Sequence, residues 1–570
     1  MKAAVLLGFA ALVCARPTGE VDEHGHGGHG GPGHGGPGGP PGGGPPGGGP
    51  GGPPKLPVVD LGYTLQRATF YNESGRFYNF SNIRYAAPPV GDLRFALPAP
   101  PAKDRSVQTG EVGRICPQAT PAWELQAAQF IPEYLLGLPI NVSTALPSGG
   151  VGAPDPRTTE DCLFLDVVVP RRVFEHQKGN GAPVIVWIYG GGFVAGDKSG
   201  TNGGNPAGLI HRGNDSVVFV AINYRLGLHD QRFALQWVQD HIADFGGDPD
   251  QVTVIGESAG GASILHQITA YGGTDNPFHR AIMQSPGFLP TPSPLLQEKY
   301  TQTYLSLLNV STIEQARQLP SAALITANTI YVALQPYGSF GPGPSVDGDL
   351  VPDLPGRLIK AGNFDKSIKV LASHNANEGL LFTPWFVTSD PTYRASVKAA
   401  LPLLSNATLD YIATTLYPPV FDGSYGYVDE TQRSAQTVAD LVFVCNTRYI
   451  NSAAPHAWGY RFDILPGLHG QDVAYTFYND QGVQPPNLVN LDAGLESVDA
   501  ALALQEWITS FARGGEPSAG WAGVGEAWVG SIPQYDGGNI ESLSVNGTQD
   551  VRDDARNRRC DWWQTADFGP

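Results

Sequence analysis

An α/β architecture, with a large, mostly parallel central sheet covered by helices on both faces, is what the sequence predicts for the bulk of this chain. Two observations carry it. The runs Val184–Tyr189 and Val217–Ile222 are apolar at every position, too uniform for strands with one wet face. After them comes helical spacing, with Phe233, Leu235, Trp237, Val238 and Ile242, then a third short strand, Val252–Ile255, and a helix over Ala259–Ala270. Apolar strands alternating with amphipathic helices form βαβ units, whose strands run parallel.

From the N-terminus, residues 1–15 read as a secretory signal. Lys2 supplies the positive start, Ala3 to Val13 the apolar stretch, and Val13-Cys14-Ala15 a small-residue cleavage site. Residues 16–55 follow as a tract that builds no core; positions 24–54 hold 18 Gly, 9 Pro and 4 His and nothing else. Its histidines, His24, His26, His29 and His34, suit either a solvated spacer or a loose metal-binding tract. Residues 56–570 then read as one large domain, without a second linker or a repeat. No apolar run long enough for a membrane span follows the N-terminus. A net charge of −18 makes nucleic acid and anionic membranes poor partners.

Loss of the signal removes Cys14 and leaves Cys116, Cys162, Cys445 and Cys560. An even number in a secreted chain suggests two disulfides, with three possible pairings. Seven N-x-S/T sequons agree with secretion and are candidate glycosylation sites: Asn72, Asn79, Asn141, Asn214, Asn309, Asn406 and Asn546.

Between the third strand and its helix stands Gly256-Glu257-Ser258-Ala259-Gly260. The G-x-S-x-G pattern alone is weak, but strand, elbow and helix occur here in the order that exposes a serine on a tight turn. The helix behind it aims N–H groups at developing negative charge. A serine nucleophile also needs donors for an oxyanion. Gly190-Gly191-Gly192-Phe193, at the end of the first strand, supplies them, because glycines let backbone N–H groups come close to a substrate oxygen. Gly191, Gly192 and Ala259 are the expected donors.

These motifs, with their surroundings, resemble the type-B carboxylesterase/lipase family, the cholinesterase-like branch of the α/β-hydrolases, and its secreted fungal members most. The resemblance spans residues 60 to 563. It rests further on Phe80-Ser81-Asn82-Ile83-Arg84-Tyr85-Ala86, Pro88-Pro89-Val90-Gly91, Leu93-Arg94-Phe95, Glu160-Asp161-Cys162-Leu163-Phe164-Leu165 and Phe245-Gly246-Gly247-Asp248-Pro249.

It implies an α/β-hydrolase fold and a secreted, extracellular serine esterase that works through an acyl-enzyme on a small-molecule or lipid ester, with no metal or organic cofactor. It implies Glu378 as the acid and His469 as the base, in the chain order Ser, Glu, His of that fold. His374, close to Glu378, is the competing histidine. The resemblance also implies the pairs Cys116–Cys162 and Cys445–Cys560, and an ion pair between Arg94 and Glu160.

The Cys116–Cys162 loop contains an apolar stretch, Trp123 to Leu138, that suits either a cover over an acyl groove or a buried loop helix. Trp123 does not map onto a choline site, so an uncharged, apolar ester is the expected substrate. One departure stands out. After Ile222-Asn223-Tyr224-Arg225-Leu226-Gly227, Leu228-His229-Asp230-Gln231 follows at once, where relatives carry roughly 15–20 further residues; a connection this short is still allowed between a strand and a helix.

Three readings follow: a serine esterase, with triacylglycerol lipase as its variant; a catalytically impaired binding or adhesion protein on the same fold; and a chain whose function lies in the His/Gly/Pro tract.

Overall fold

The computed structural model describes residues 56–143, 155–176, 181–199, 205–479, 495–518 and 530–569. The expected signal and the His/Gly/Pro tract lie outside the described residues. Eleven strands form the main sheet: β1 (Phe70–Asn72), β2 (Phe77–Arg84), β3 (Phe164–Pro170), β4 (Ala182–Ile188), β5 (Val218–Ile222), β6 (Gly247–Glu257), β7 (Arg280–Gln284), β8 (Lys369–Asn375), β9 (Ala457–Phe462), β10 (Asn539–Ser544) and β11 (Gly547–Arg552). Their order across the sheet is β11-β10-β9-β8-β7-β6-β4-β5-β3-β2-β1. From β5 to β10 every pairing is parallel, and the antiparallel strands sit on both flanks.

The parallel centre follows from composition. In β4 the consecutive residues Val184 to Ile188 are all buried, and so is the whole of β5. Burial at every position means that both faces are covered. The helix α2 (Leu228–His241) and helix α3 (Ala259–Thr269) pack together, with α3 on β6 and β7, while helix α5 (Val498–Gly514) lies on β4 and β6. All eleven residues of α3 are buried, its polar Ser263, His266, Gln267 and Thr269 included, so the helix lies wholly inside the fold.

The short connection after β5 closes with Leu226 held at φ 63°. Gly227 is the residue before α2, so the helix begins five residues earlier than its apolar spacing predicts. Its first turn reads as polar because Asp230 is buried for another purpose. The Asp230 carboxylate takes both the backbone N–H and the guanidinium of Arg225, at 2.6–2.9 Å. The same arginine donates to the Ala96 carbonyl, and Gln267 of α3 donates to the Leu228 carbonyl, so the connection is tied at both ends.

Both implied disulfides are present, Cys116–Cys162 and Cys445–Cys560. Arg94 and Glu160 form a bidentate pair at 2.6 Å, and Arg94 also donates to the carbonyls of Arg317 and Leu319. With so little solvent around it, this pair fixes the first loop against a distant one more than it adds stability. Of the sequon asparagines, Asn141, Asn214, Asn309, Asn406 and Asn546 are exposed, and Asn72 and Asn79 are half-buried. Among the described residues no helix is long and apolar enough to cross a membrane.

Candidate active site

Four of the parallel strands deliver their following loops to one edge of the sheet. The glycine turn follows β4, Ser258 follows β6, Glu378 follows β8 and His469 follows β9. Loops at the carboxyl ends of parallel strands are where open α/β sheets bind ligands.

Ser258 sits between β6 and α3 with φ 58° and ψ −124°. A side chain rarely adopts such a conformation, and it persists only where the surroundings dictate it. Here three backbone bonds do so: Ser258 N–H to the Gln284 carbonyl at 3.0 Å, and the N–H groups of Ala262 and Gly287 to the Ser258 carbonyl at 2.8 and 3.1 Å. The elbow's glycines have no substitute. A Cβ on Gly260 would lie 2.0 Å from the Ile188 carbonyl oxygen, and one on Gly256 2.6 Å from the Gly260 carbonyl carbon. β6, α3 and β4 meet too closely for anything larger.

The glycine turn abuts this elbow: a Cβ on Gly190 would lie 2.9 Å from the Ser258 Cβ. Gly191 and Gly192 have φ 107° and 61°. The N–H groups of Gly191, Gly192 and Ala259 meet no protein acceptor among the described residues.

His469 is buried, and its Nδ1 lies 2.6 Å from Glu378 Oε2. The other carboxylate oxygen, Oε1, accepts from Ser285 Oγ at 2.5 Å and from the Asn375 backbone N–H at 2.6 Å. Asn375 also donates its side-chain amide to the Leu468 carbonyl, and Asn377 N–H bonds the Gly467 carbonyl, so the acid's loop and the histidine's loop are laced together. The rings of Phe382 and Phe443 lie 5.1 and 4.3 Å from the His469 imidazole, centroid to centroid. Phe443 belongs to a π-helical turn, Ala439–Val444, an irregularity often found at functional sites.

The second imidazole nitrogen, Nε2, faces the elbow. It lies 3.3 Å from Oε1 of Glu257, the residue before Ser258, yet the two are not aligned for a hydrogen bond and neither has another partner among the described residues. Burial pushes the Glu257 carboxyl up to about 8 against the pull of His469. For His469 burial opposes the charged ring, but the carboxylates of Glu257 and Glu378 outweigh it and raise its pKa. A third buried acid, Asp472, is pushed up to about 6 by burial and by Glu378, and is held by the amides of Asn375 and Gln284. Gln284 stands level with Glu257 and Ser373 in the strand register, and it also donates to Tyr460 and Thr476.

The apolar stretch of the first disulfide loop forms helix α1 (Trp123–Leu135). Trp123, Ala127, Phe130 and Ile131 face inward, and the Trp123 ring packs on Tyr337, Phe340 and Phe382, one ring away from His469. Its outer side and the residues beyond carry exposed Leu125, Leu135, Leu136, Leu138 and Ile140. It is thus both a buried loop helix and a wall beside the candidate site.

The structure brings Glu378 and His469 into contact and sets the glycine turn beside Ser258. His374, the competing histidine, points elsewhere, toward Asp554 at 3.0 Å. Sequence reasoning singled out neither Glu257, Ser285 and Asp472 nor the ring pair Phe382 and Phe443. Glu257 carried a signal, since it stands inside the quoted elbow motif, and Asp472 follows three residues after His469; Ser285 meets Glu378 only through the sheet's pairing.

Comparison with known proteins gives a consistent result. A model of the carboxylesterase family matches residues 66–563. The chain is 38% identical to carboxylesterase patB of Aspergillus clavatus, over 90% of this chain and 97% of that protein. It is 30% identical to lipase 1 of Geotrichum candidum, over 72% of this chain and 81% of that one. Among solved structures it resembles Aspergillus niger EstA, with a TM-score of 0.72 and 24% identity over 89% of this chain and 98% of that chain.

Proposed function

The chain belongs to the carboxylesterase family and is a carboxylic ester hydrolase with the α/β-hydrolase fold, and from that premise we propose that it is a secreted serine esterase working through Ser258, His469 and Glu378. The observation that supports this most is the 2.6 Å contact of Glu378 with His469 Nδ1, which leaves Nε2 as the free nitrogen on the elbow side.

In this reading His469 Nε2 takes the proton of the Ser258 hydroxyl as its Oγ bonds to the ester carbonyl carbon. Glu378 keeps the proton on Nδ1 and stabilises the imidazolium. The negative charge passes to the carbonyl oxygen, where the N–H groups of Gly191, Gly192 and Ala259 meet it. Collapse of the adduct breaks the bond to the alcohol oxygen, which leaves with the proton from His469. Water then attacks the acyl-enzyme by the same route, releasing the acid and restoring Ser258.

The aromatic wall of Trp123, Phe340 and Phe382 supports an uncharged, apolar ester. The exposed leucines of α1 and its C-terminal extension favour a lipase as the second reading, because such a fringe suits an oil–water boundary. The signal-like residues 1–15 and the two disulfides support secretion.

The test is hydrolysis of p-nitrophenyl esters from acetate to palmitate, with Ser258→Ala alongside. Activity that the substitution abolishes is expected. Equal activity in the variant removes the serine mechanism, and a rise in rate once long-chain substrate forms a separate phase selects the lipase.

A further inference from the structure

His374 is the last residue but one of β8 and stands four residues before Glu378. Its ring is buried, at 2% exposure. Nε2 lies 3.0 Å from Asp554 Oδ1, and Nδ1 lies 3.4 Å from Thr447 Oγ1. Thr447 has one hydroxyl proton, and it goes to the Val444 carbonyl at 2.8 Å. Toward His374 this oxygen therefore accepts. Both ring nitrogens face acceptors, so both are best satisfied as N–H donors.

We propose that His374 is a positioning residue which, as a buried imidazolium, pins the end of β8 and the Glu378 loop to α4 (Cys445–Ala453) and to the C-terminal segment around Asp554. The inference rests on the reading of Glu378 and His469 as acid and base. Its route to them is short. The next residue, Asn375, gives its backbone N–H to Glu378 and its side-chain amide to Leu468 and Asp472. A shift of the β8 end moves the acid and the histidine's loop together.

The charges around the ring agree. Asp554 and Asp553 face it from the C-terminal segment, Glu378 from its own loop, and Arg461 of β9 shares Asp554 at 3.5 Å. Burial disfavours the imidazolium, yet the three carboxylates outweigh it and raise the His374 pKa. The Asp554 carboxyl, about half exposed (49% of its side chain), is correspondingly held well below the usual range by His374 and Arg461. A group raised in the folded state stabilises fully below its unfolded pKa of about 6.5, and that stabilisation is lost as pH rises through the folded value. The Cys445–Cys560 bond encloses the contact, joining α4 to the same C-terminal segment.

The experiment uses full-length protein labelled with 15N histidine. Ring resonances of His374, assigned by their absence in His374→Gln, are expected to show both nitrogens protonated at pH 6. In Asp554→Asn the ring is kept but loses its main counter-charge, and its titration is expected to move to lower pH. In kinetics on a soluble ester, His374→Gln is expected to lower kcat about tenfold or more with KM unchanged. The melting-temperature gap between wild type and His374→Gln should be widest at pH 6 and close as pH rises. One unprotonated ring nitrogen at pH 6, an unmoved titration in Asp554→Asn, or a gap that ignores pH overturns the proposal. These ring and melting measurements need no substrate, so they stand apart from the Ser258→Ala test of the esterase mechanism.

Discussion

Replacing Glu378 by Gln changes one atom of the site, and the hydrogen bonds around it dictate how the new amide must lie. Oε1 accepts from two donors, Ser285 Oγ at 2.5 Å and the Asn375 backbone N–H at 2.6 Å. The backbone N–H cannot turn away, so the amide oxygen must take the Oε1 place. The NH2 group then falls at the Oε2 position, 2.6 Å from His469 Nδ1, where it can only donate. Nδ1 must accept and the ring proton moves to Nε2. That tautomer has no lone pair on the elbow side with which to take the Ser258 proton.

A wrong tautomer in an otherwise intact triad costs about 10⁴ in kcat, or about 5 kcal/mol of transition-state stabilisation. The fold should survive, because every buried partner of Glu378 except the histidine keeps its bond. The assay is kcat on a p-nitrophenyl ester, with melting temperature as the control. A folded Glu378→Gln enzyme within tenfold of wild type would refute the reasoning.

Other substitutions probe the rest of the site. Glu257→Gln removes a carboxyl facing Nε2, one of the two groups that raise His469. The ascending limb of kcat/KM, set by loss of the His469 proton, should move about one unit toward lower pH; an unmoved limb rejects this electrostatic role. The same change should also raise stability. The Glu257 carboxyl, pushed up to about 8, stays protonated in the folded state while the unfolded chain ionises near 4.5, so wild type loses stability as pH rises between them. A melting temperature that gains nothing at pH 8 counts against that sign. Gly260→Ala should abolish folded protein in secretion trials, given a Cβ 2.0 Å from a backbone oxygen; normal yield would show that β4 and α3 can part. For the disulfides, separations of 46 and 115 residues give about 4 and about 5 kcal/mol in the chain-entropy model. Double Ser variants should therefore unfold at lower denaturant, Cys445/Cys560 lowest, and the reverse order would point to strain or residual structure instead.

What the sequence reveals about this fold is governed by how local each feature is. The elbow is legible because strand, serine and helix are contiguous, and β4 and β5 because full burial leaves an unbroken apolar run. α2 is recognised late, from Phe233 and not Leu228, because its first turn spends Asp230 on Arg225. The flanking strands carry no comparable run: β1 and β11 are edges, β2 is only partly buried, and β10 spends buried positions on the polar Glu541 and Ser542. Glu378 and His469 stand 91 positions apart, and spacing alone does not join them; resemblance does. Ser285 meets Glu378 across 93 positions, and nothing around it in the chain marks it.

The strained serine has a consequence for how such proteins change over generations. At φ 58° the backbone of residue 258 suits glycine better than any side chain, and relief of that strain is worth about 1–2 kcal/mol. Folding and chemistry therefore disagree at this one position. Selection for ester turnover keeps the serine, and selection for a durable scaffold alone favours its loss. A lineage that stops needing the reaction has a single-step route to a more robust but silent protein, and the first trace of that drift would be a glycine after Glu257.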